Sequence, residues 1–454
     1  MSKEFDIVFI GSGPAGYTGA IRAGQLGKSV CVIEAGFIGG VCLNRGCIPT
    51  KSLLHSSQIY ADLKHAEKYG VTVENASYDL SKMLELRANT VEKVRGSLER
   101  TLKNNGAEII KGLAKLDENG NLTVHAKDET LEIKYKNLVI ATGSKPRMLP
   151  DLPKDKVLNS DTILAQTILP EKTLIIGSGA IGTEWARILN ALGKQVCVVE
   201  MAQKLAPAMD ESVSDTLARI FKKQKIEFYT GVSIEKYEEN KAFLSNGKEV
   251  EYDKILVAIG RVPNLFGLDN VPFEKDRGFL KVDENFKTNF DNIYSVGDIT
   301  GKQMLAHTAS AQSKKLVEYL FENKKIDINY QNIPAIIYGK PEIATVGYTE
   351  QALRETGADY RVSKLPLTIA AKAFIDGEID GMVKVMSIDD VIVGAAVVAN
   401  DASGLLQQLV NAIQTKTPIS KLNETIYAHP TTSEAISEAV LSLEDKALFV
   451  PKKV

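Results

Sequence analysis

The strongest constraint on the fold is a unit that occurs twice, 166 positions apart. In each copy an apolar run leads into a G-x-G-x-x-G motif, a helical stretch follows, and a second apolar run ends at a glutamate. The first copy contains Gly11, Gly13 and Gly16 and ends at Glu34, and the second contains Gly177, Gly179 and Gly182 and ends at Glu200. One such motif is weak, but two copies in the same strand-and-helix context predict two Rossmann-like units with parallel sheets.

The physical role of this motif is to bind a dinucleotide. Its glycines let backbone amides approach a pyrophosphate at a helix N-terminus, and the acid accepts hydrogen bonds from a ribose. We therefore expect two dinucleotide sites, with Glu34 and Glu200 at the riboses. The alternative for each glutamate is an ordinary solvated strand end. Cys31 and Cys197, within the second apolar runs, are predicted to be buried small side chains.

A second repeat has a shorter offset. The run that ends at Gly143 parallels the run that ends at Gly260, 117 positions further on. Polar alternating stretches with Asn-Gly turns precede both runs and predict antiparallel strands. The first unit is therefore 49 residues longer than the second, and the extra residues lie between Glu34 and Ala141. Their periodicity predicts helices over roughly residues 53–68 and 81–104.

This insertion contains Cys42 and Cys47. Five residues of regular helix advance about 7.5 Å, whereas the Cα atoms of a disulfide lie roughly 4.4–6.8 Å apart. A regular helix would not bridge the pair, but Gly46 and Pro49 favour an irregular turn that runs into a helix. Taken alone, the cysteine pair allows three interpretations. It could form a redox-active disulfide, remain as two unbridged thiols, or provide half of a zinc site. Zinc would need further ligands at short spacing, so we predict no metal site.

The last part of the chain has a different pattern. A helix is predicted over about residues 306–322, after the sharp turn of residues 293–298. From residue 333 the sequence indicates alternating strands, at residues 343–346, 381–386 and 391–399, and two late helices, at about residues 404–415 and 431–441. This region lacks a glycine fingerprint, so we expect a separate α+β domain.

Composition narrows the class of protein. The chain has 454 residues, with 55 basic and 57 acidic side chains, and 44% of its residues are hydrophobic. Its length suggests about three domains, and the near-neutral charge argues against nucleic acid or an anionic membrane as a partner. Four cysteines are too few for a secreted disulfide framework. The start resembles no leader and residues 449–454 resemble no anchor, so we expect a cytoplasmic protein with no membrane partner.

Several motifs together resemble the flavin disulfide oxidoreductases. They are the two fingerprints, GGVCLNRGCIPTK at residues 39–51, YSVGDI at residues 294–299 and AHPTTSEA at residues 428–435. The resemblance covers essentially the whole chain. It implies an α/β fold with two Rossmann-like dinucleotide-binding domains, for FAD and NAD, and a C-terminal α+β dimerisation domain. The implied division assigns residues 1–143 and 265–332 to FAD, 144–264 to NAD, and 333–454 to the interface of a homodimer.

The resemblance also implies roles for single residues. Cys42 would exchange with a dithiol substrate and Cys47 would face the flavin, with His429 as the base and Glu434 orienting it. Lys51 and Glu184 would form an ion pair beside the flavin. The other implied cofactor contacts are Thr142, Gly143, Asp298, Ala306 and Gly260. Ordinary alternatives exist: Lys51 and Glu184 as unrelated helix-face charges, and Glu434 as a helix-capping residue after Thr431.

The implied reaction is the oxidation, by NAD, of a dihydrolipoyl group on a lipoyl-bearing protein of a multienzyme complex. NAD is favoured over NADP because the Glu200 carboxylate would repel a 2′-phosphate and residues 201–203 include no arginine to bind one. The alternatives are an NADH-dependent reductase of another small disulfide and an FAD-containing assembly subunit. Arg45, Tyr427 and residues 311–312 depart from the commonest family pattern, and Arg45 alters the charge beside the two cysteines.

Overall fold

The structure, a computed structural model, describes residues 3–450. The described residues do not include Met1, Ser2 or residues 451–454. The expectations about a leader and a terminal anchor therefore fall partly outside the described residues. Within the described range, no helix is both long enough and apolar enough to cross a membrane.

The first fingerprint unit forms a five-stranded parallel sheet. Its central strand is buried along its whole length, as expected for an apolar run covered on both faces. The strand order is Ile293–Ser295, Leu138–Ile140, Ile7–Ile10, Val30–Glu34 and Ala107–Lys111. The helices Pro14–Gln25 and Ala306–Glu322 pack against each other beside this sheet. The chain therefore returns to the first sheet after it has built the second.

A second five-stranded parallel sheet repeats this arrangement. Its strand order is Val157–Leu158, Lys254–Val257, Lys172–Ile176, Gln195–Glu200 and Glu227–Thr230. The helix Ala180–Ala191 begins within the second fingerprint, as Pro14–Gln25 begins within the first, and Glu211–Lys223 is the other helix of this unit. Cys31 and Cys197 are buried in matching strands. The predicted pair of Rossmann-like units is confirmed.

Antiparallel strands lie beside each parallel sheet, as the Asn-Gly turns predicted. Beside the first are Leu113–Leu116, Leu122–His125 and Thr130–Tyr135, with Lys3–Phe5 added in parallel. Beside the second are Ile234–Glu238, Lys241–Leu244 and Glu249–Glu251. Two short ladders pair Ser144–Pro146 with Arg261–Pro263, and Lys275–Asp276 with Phe279–Leu280. The first of these ladders joins the two fingerprint units.

The insertion in the first unit is helical. Its helices are Gly40–Arg45, Cys47–Leu63 and Leu80–Asn104, with a 3-10 turn at Ala66–Tyr69. The last helix is capped by Asp79, whose carboxylate accepts the backbone N–H of Lys82 at 3.2 Å. Both predicted helices of the insertion are therefore present, and the first begins earlier, at Cys47.

The C-terminal region is an antiparallel sheet with its own buried core. The strand order is Ala335–Ile337, Glu342–Gly347, Val391–Ala399, Met382–Ile388 and Arg361–Pro366. Its helices are Glu350–Thr356, Ala371–Asp376, Ala402–Thr415, Ile419–Leu422 and Glu434–Ser442. Short 3-10 turns occur at Asp298–Thr300, Tyr330–Asn332 and Leu367–Ile369. Two parallel sheets followed by this α+β region confirm the predicted fold class.

Candidate active site

A cavity of about 820 Å³ opens at the carboxyl ends of the strands of the first sheet. Ile10, Glu34, Ala141 and Val296, which end or directly follow strands, line it. Ligands of open α/β sheets bind at this edge, and the volume is within the range of about 300–1,000 Å³ that is usual for small-molecule sites. The remaining walls come from the insertion helices, from the second fingerprint unit and from the C-terminal sheet.

The three glycines of the first fingerprint have different structural roles. A Cβ on Gly11, whose φ is +102°, would lie 2.5 Å from the carbonyl oxygen of Ala141, and a Cβ on Gly16 would overlap the carbonyl oxygen of Gly11. The nearest atom to a Cβ on Gly13 would be 3.9 Å away, and Gly13 lines the cavity. Any larger residue at Gly11 or Gly16 would clash with the backbone, so the fold itself requires glycine at both positions. Gly13 keeps space free at a helix N-terminus, where a pyrophosphate fits.

The second fingerprint repeats this geometry at a separate place. A Cβ on Gly177, whose φ is +98°, would lie 2.6 Å from the carbonyl oxygen of Ala258, and a Cβ on Gly182 would overlap the carbonyl oxygen of Gly177. A Cβ on Gly179 would have no atom within 4 Å. None of these three glycines lines the cavity, although Ala180 does. The two fingerprints therefore offer two distinct binding places.

Glu34 and Glu200 occupy equivalent positions in the two units. One carboxylate oxygen accepts hydrogen bonds from the backbone N–H and the hydroxyl of the fingerprint serine, at 2.9 and 2.6 Å for Ser12 and at 2.9 and 2.8 Å for Ser178. The other oxygen accepts one backbone N–H, at 2.7 Å in the first unit and 2.9 Å in the second. A carboxylate oxygen has two lone-pair sites, so this second oxygen retains capacity for a ribose hydroxyl.

Cys42 and Cys47 form a disulfide, with their Cα atoms 4.7 Å apart. Cys42 lies within the helix Gly40–Arg45 and Cys47 begins the next helix, while Gly46, with φ −145° and ψ −111°, separates the two. The predicted irregularity is thus one residue rather than a longer turn. Bonded sulfurs do not fit the alternatives of unbridged thiols or half a zinc site. Cys47 begins a helix of 17 residues, where the dipole and free N–H groups stabilise a thiolate.

Lys51 and Glu184 form an ion pair at the cavity, although they are 133 residues apart in sequence. Lys51 Nζ lies 2.9 and 2.8 Å from the two carboxylate oxygens. The Glu184 side chain is 4% exposed and the Lys51 side chain 32%. The backbone N–H of Tyr338 also donates to Glu184 at 3.1 Å, and Lys51 Nζ lies 4.6 Å from the Tyr338 ring centroid. The two residues are therefore not independent helix-face charges.

Asp298 lies in a polar network at the cavity wall. Its carboxylate accepts a hydrogen bond of 2.6 Å from the hydroxyl of Ser144. Arg261 donates to the Ser144 hydroxyl at 2.7 Å and to the Ser144 carbonyl at 2.8 Å. Burial raises the pKa of Asp298, against the opposing effects of Ser144 and Arg261. Burial also lowers the pKa of Arg261. This network fixes the orientation of the Asp298 side chain.

The remaining predicted cofactor residues divide into two groups. Thr142, Gly143 and Ala306 line the cavity, whereas Gly260 does not. Next to Ala306, His307 also lines the cavity, and its Nε2 lies 2.9 Å from the carbonyl oxygen of Pro334. Burial lowers the pKa of His307. The helix Ala306–Glu322 thus presents its first residues to the cavity.

His429 and Glu434 pair with each other away from the cavity. His429 Nδ1 lies 2.9 Å from Glu434 Oε1, and Glu434 Oε2 accepts the backbone N–H of Thr431 at 2.8 Å. The hydrogen bond from the Thr431 N–H has the largest effect in lowering the pKa of Glu434, and the hydrogen bond with His429 lowers it further. Glu434 therefore acts both as an acceptor near the helix start and as an orienting anion. The His429 side chain is 72% exposed and does not line the cavity that contains Cys42 and Cys47.

Several residues of the site were not predicted from the sequence. Ser12 and Ser178 hold the two glutamates, and their identical place in the two fingerprints was a signal that could have found them. Asn44 donates to the carbonyl oxygens of Ile38 and Gly40 at 3.0 and 2.9 Å and so fixes the cysteine loop. The other residues that were missed are Ser144, Arg261 and Tyr338. Their partners at the site lie at least 101 residues away in sequence, so no local sequence pattern indicates these contacts.

Comparison with known proteins gives two family matches. Residues 5–313 match the description "Pyridine nucleotide-disulphide oxidoreductase", and residues 333–440 match the dimerisation domain of the same family. The chain belongs to this family. The predicted resemblance is thereby confirmed, together with the oxidoreductase class and the cofactor pair of FAD and NAD.

Curated relatives match this chain along nearly their whole length. Dihydrolipoyl dehydrogenase of Chlamydia pneumoniae is 36% identical over 462 residues, which cover 100% of both chains. Dihydrolipoyl dehydrogenase of Bacillus subtilis is 36% identical over 450 residues, which cover 96% of both chains. The mitochondrial dihydrolipoyl dehydrogenase of Pisum sativum is 35% identical, and the match covers 99% of this chain and 93% of the relative.

Solved structures of the family share the fold. LpdA from Mycobacterium tuberculosis is 26% identical with a TM-score of 0.89, and the match covers 96% of this chain and 99% of LpdA. The HOCl-induced flavoprotein disulfide reductase RclA from Escherichia coli is 27% identical with a TM-score of 0.84, and the match covers 96% of this chain and 99% of RclA. The family fold thus extends over nearly all of the chain.

Proposed function

We propose that the chain is a dihydrolipoyl dehydrogenase, which oxidises the dihydrolipoyl group of a lipoyl-bearing protein and passes the electrons to NAD. The Cys42–Cys47 disulfide at the wall of a cavity suited to a dinucleotide is the observation that carries this proposal. Full-length relatives of that name, 35% and 36% identical, support it. In this proposal residues 1–143 and 265–332 bind FAD, residues 144–264 bind NAD, and residues 333–454 form a homodimer interface.

The residues present fit both cofactors. FAD would be held at the cavity by the space at Gly13 and by Glu34 and Asp298, and NAD by the equivalent space at Gly179 and by Glu200. When bound, FAD supplies a two-electron acceptor between the cysteine pair and NAD. Glu200 favours NAD over NADP because its carboxylate would repel a 2′-phosphate.

The two cysteines are not equivalent, and this difference decides which sulfur the substrate thiolate attacks. A substrate thiolate attacks the sulfur of Cys42, the Cys42–Cys47 bond breaks, and Cys47 leaves as a thiolate. Cys47 is the better leaving group because it begins a helix, whose N-terminal dipole stabilises the departing thiolate. The second substrate thiol then attacks the mixed disulfide, Cys42 leaves as a thiol, and the substrate departs as its own disulfide.

This sequence of steps needs a base that removes a proton from each substrate thiol. His429 is the candidate because the Glu434 carboxylate fixes its Nδ1 side and leaves Nε2 free to accept a proton. Within a single chain, the His429 imidazole does not line the cavity that contains the cysteines. We therefore propose that the homodimer brings His429 of one copy to Cys42 of the other, so that each site needs two copies.

A steady-state assay with free dihydrolipoamide, a lipoylated protein domain and unrelated dithiols as substrates tests this function. We expect NAD-dependent oxidation of both lipoyl substrates, faster than of the other dithiols, and its complete loss in Cys42→Ser. Preference for NADH-dependent reduction of another small disulfide would favour the alternative reductase. Co-purification with a lipoylated protein, and recovery in the cytoplasmic fraction, would test the proposed partner, in a 2-oxo acid dehydrogenase or glycine cleavage complex, and the proposed location.

A further inference from the structure

Arg45 is a charged residue placed between the two redox cysteines. It lines the same cavity as Cys42 and Cys47. It follows Cys42 by three positions on the helix Gly40–Arg45, so the two side chains share a face, where Cβ atoms lie about 5–6 Å apart. Cys47 follows only two positions later. The Arg45 side chain therefore leaves the backbone one helical turn after Cys42 and two residues before Cys47, at the cavity that both cysteines line.

Among residues 3–450, the Arg45 side chain has one ion pair, and the contact is long. Its Nε lies 3.5 Å from Asp161 Oδ2, and the two side chains are 61% and 23% exposed. Asp161 is fixed from its other side, because the hydroxyl of Ser160 lies 3.3 Å from its carboxylate and 3.4 Å from Arg261 Nη1. A pair of this length and exposure contributes little to stability. Its main effect is on the local charge, since Asp161 partly neutralises Arg45.

We propose that Arg45 raises the reduction potential of the Cys42–Cys47 pair by stabilising its thiolate form, and that Asp161 limits this effect. On reduction the disulfide takes two electrons and one proton from a dithiol, and it becomes one thiol and one thiolate. The dithiol closes its own disulfide, and its second proton goes to a base or to solvent. The reduced pair therefore carries a negative charge that the oxidised pair lacks, and a nearby cation stabilises only the reduced form.

Other charged groups line the same cavity, and their arrangement differs from that of Arg45. Besides Arg45 and the two cysteines, the charged or titratable residues that line the cavity are Glu34, Lys51, Lys145, Asp161, Glu184, Arg261, Asp298, His307 and Tyr338. Lys51 is matched by both carboxylate oxygens of Glu184, at 2.9 and 2.8 Å. The ion pair that the described part of the chain provides for Arg45 is the longer contact with Asp161, at 3.5 Å, so less of the Arg45 charge is compensated.

The test compares Arg45→Leu, Arg45→Lys and the unchanged FAD-bound protein. The first measurement is the equilibrium of the disulfide with dithiothreitol, read by alkylation and mass spectrometry. For Arg45→Leu we expect a shift of about three- to tenfold towards the disulfide, which corresponds to about 15–30 mV. The second is the pH dependence of iodoacetamide alkylation of the reduced protein, whose midpoint should rise by about 0.5–1 pH unit. Arg45→Lys should restore most of both changes.

Arg354→Leu is the matched control. Arg354 is a helical arginine that is 53% exposed and paired with Glu211 at 2.7 Å, and it does not line the cavity. Its replacement should change neither readout. Asp161→Asn should shift both readouts in the direction opposite to Arg45→Leu, and this shift should be smaller when Arg45→Leu is also present.

The proposal is overturned if Arg45→Leu matches the unchanged protein in both measurements, or if Arg45→Lys behaves like Arg45→Leu. Arg45→Gln, which removes the charge and keeps a polar side chain, gives the same comparison should the leucine variant fold poorly. The inference rests on the proposed function, since it takes the pair to be the redox centre. Neither measurement uses a lipoyl substrate, so a protein that failed to oxidise dihydrolipoamide would still give a clear answer about Arg45.

Discussion

The sequence around Lys51 and the sequence around Glu184 give no sign that these two side chains form an ion pair. In sequence each is a charge on a predicted helix, and only the family resemblance suggested that they meet. The fold brings Lys51, one turn after Cys47, against a glutamate that is 4% exposed. A carboxylate at such a place needs a cation beside it, because an uncompensated buried charge costs several kcal/mol.

Lys51→Met is therefore expected to destabilise the protein. It removes the cation and leaves the Glu184 carboxylate with the N–H of Tyr338 as its remaining donor. We expect the free energy of unfolding, measured by urea denaturation with FAD present, to fall by about 3 kcal/mol. Lys82→Met is the control, because Lys82 is 82% exposed and its loss should cost less than about 0.5 kcal/mol. Equal losses in the two variants would show that the buried pair contributes no more than a surface charge.

At the scale of elements, strong periodicity made most of the fold predictable. The two fingerprint units, the insertion helices and the helix Ala306–Glu322 all follow from apolar patterns and glycine spacing. The strands Ala335–Ile337 and Arg361–Pro366 were missed. Both are edge strands of the C-terminal sheet, and short or polar edge strands carry little hydrophobic alternation. Their position is decided by the neighbouring strand rather than by their own sequence.

The equivalent turns of the two fingerprints allow a matched pair of variants. Gly13→Ala and Gly179→Ala add a methyl group that meets no protein atom closer than 3.9 Å, so both proteins should fold. Each methyl group would occupy the space that a pyrophosphate needs. We expect Gly13→Ala to weaken FAD binding, and Gly179→Ala to weaken NAD binding while FAD is retained, each by about tenfold or more.

Fluorescence of released FAD and calorimetric titration with NAD measure these two affinities. Gly16→Ala serves as the contrasting variant, since its Cβ would overlap the carbonyl oxygen of Gly11, and it should impair folding itself. The assignment of the two sites would be wrong if Gly179→Ala released FAD, or if Gly13→Ala weakened NAD binding alone.

At the scale of the whole molecule, the site is assembled from parts that are far apart in sequence. The fingerprints predicted two nucleotide sites, but the cavity is completed by residues such as Ser144, Arg261 and Tyr338, which lie in the strand ladder between units and in the C-terminal region. Their roles depend on how the units pack, which no local pattern encodes. The same holds for His429, which the motif identified but which a single chain leaves exposed.

Mixed dimers test whether His429 acts on the cysteines of another copy. Cys47→Ser and His429→Ala homodimers should both lack dithiol oxidation. When the two variants are unfolded together and refolded in equal amounts, random pairing should restore roughly a quarter of the normal activity, because half of the dimers then have one complete site. If the base and the cysteines of one copy work together, no activity should return. Size-exclusion chromatography of the mixture verifies that dimers have formed.

An anaerobic titration of the FAD-bound protein with dihydrolipoamide shows whether Cys42 and Cys47 pass electrons from a dihydrolipoyl group towards NAD. We expect a long-wavelength absorption band from the Cys47 thiolate lying against FAD, and formation of NADH when NAD is then added. In Cys47→Ser the band should be absent. If dihydrolipoamide does not reduce the wild-type protein, or if the band persists in Cys47→Ser, then the two cysteines do not transfer electrons in this way.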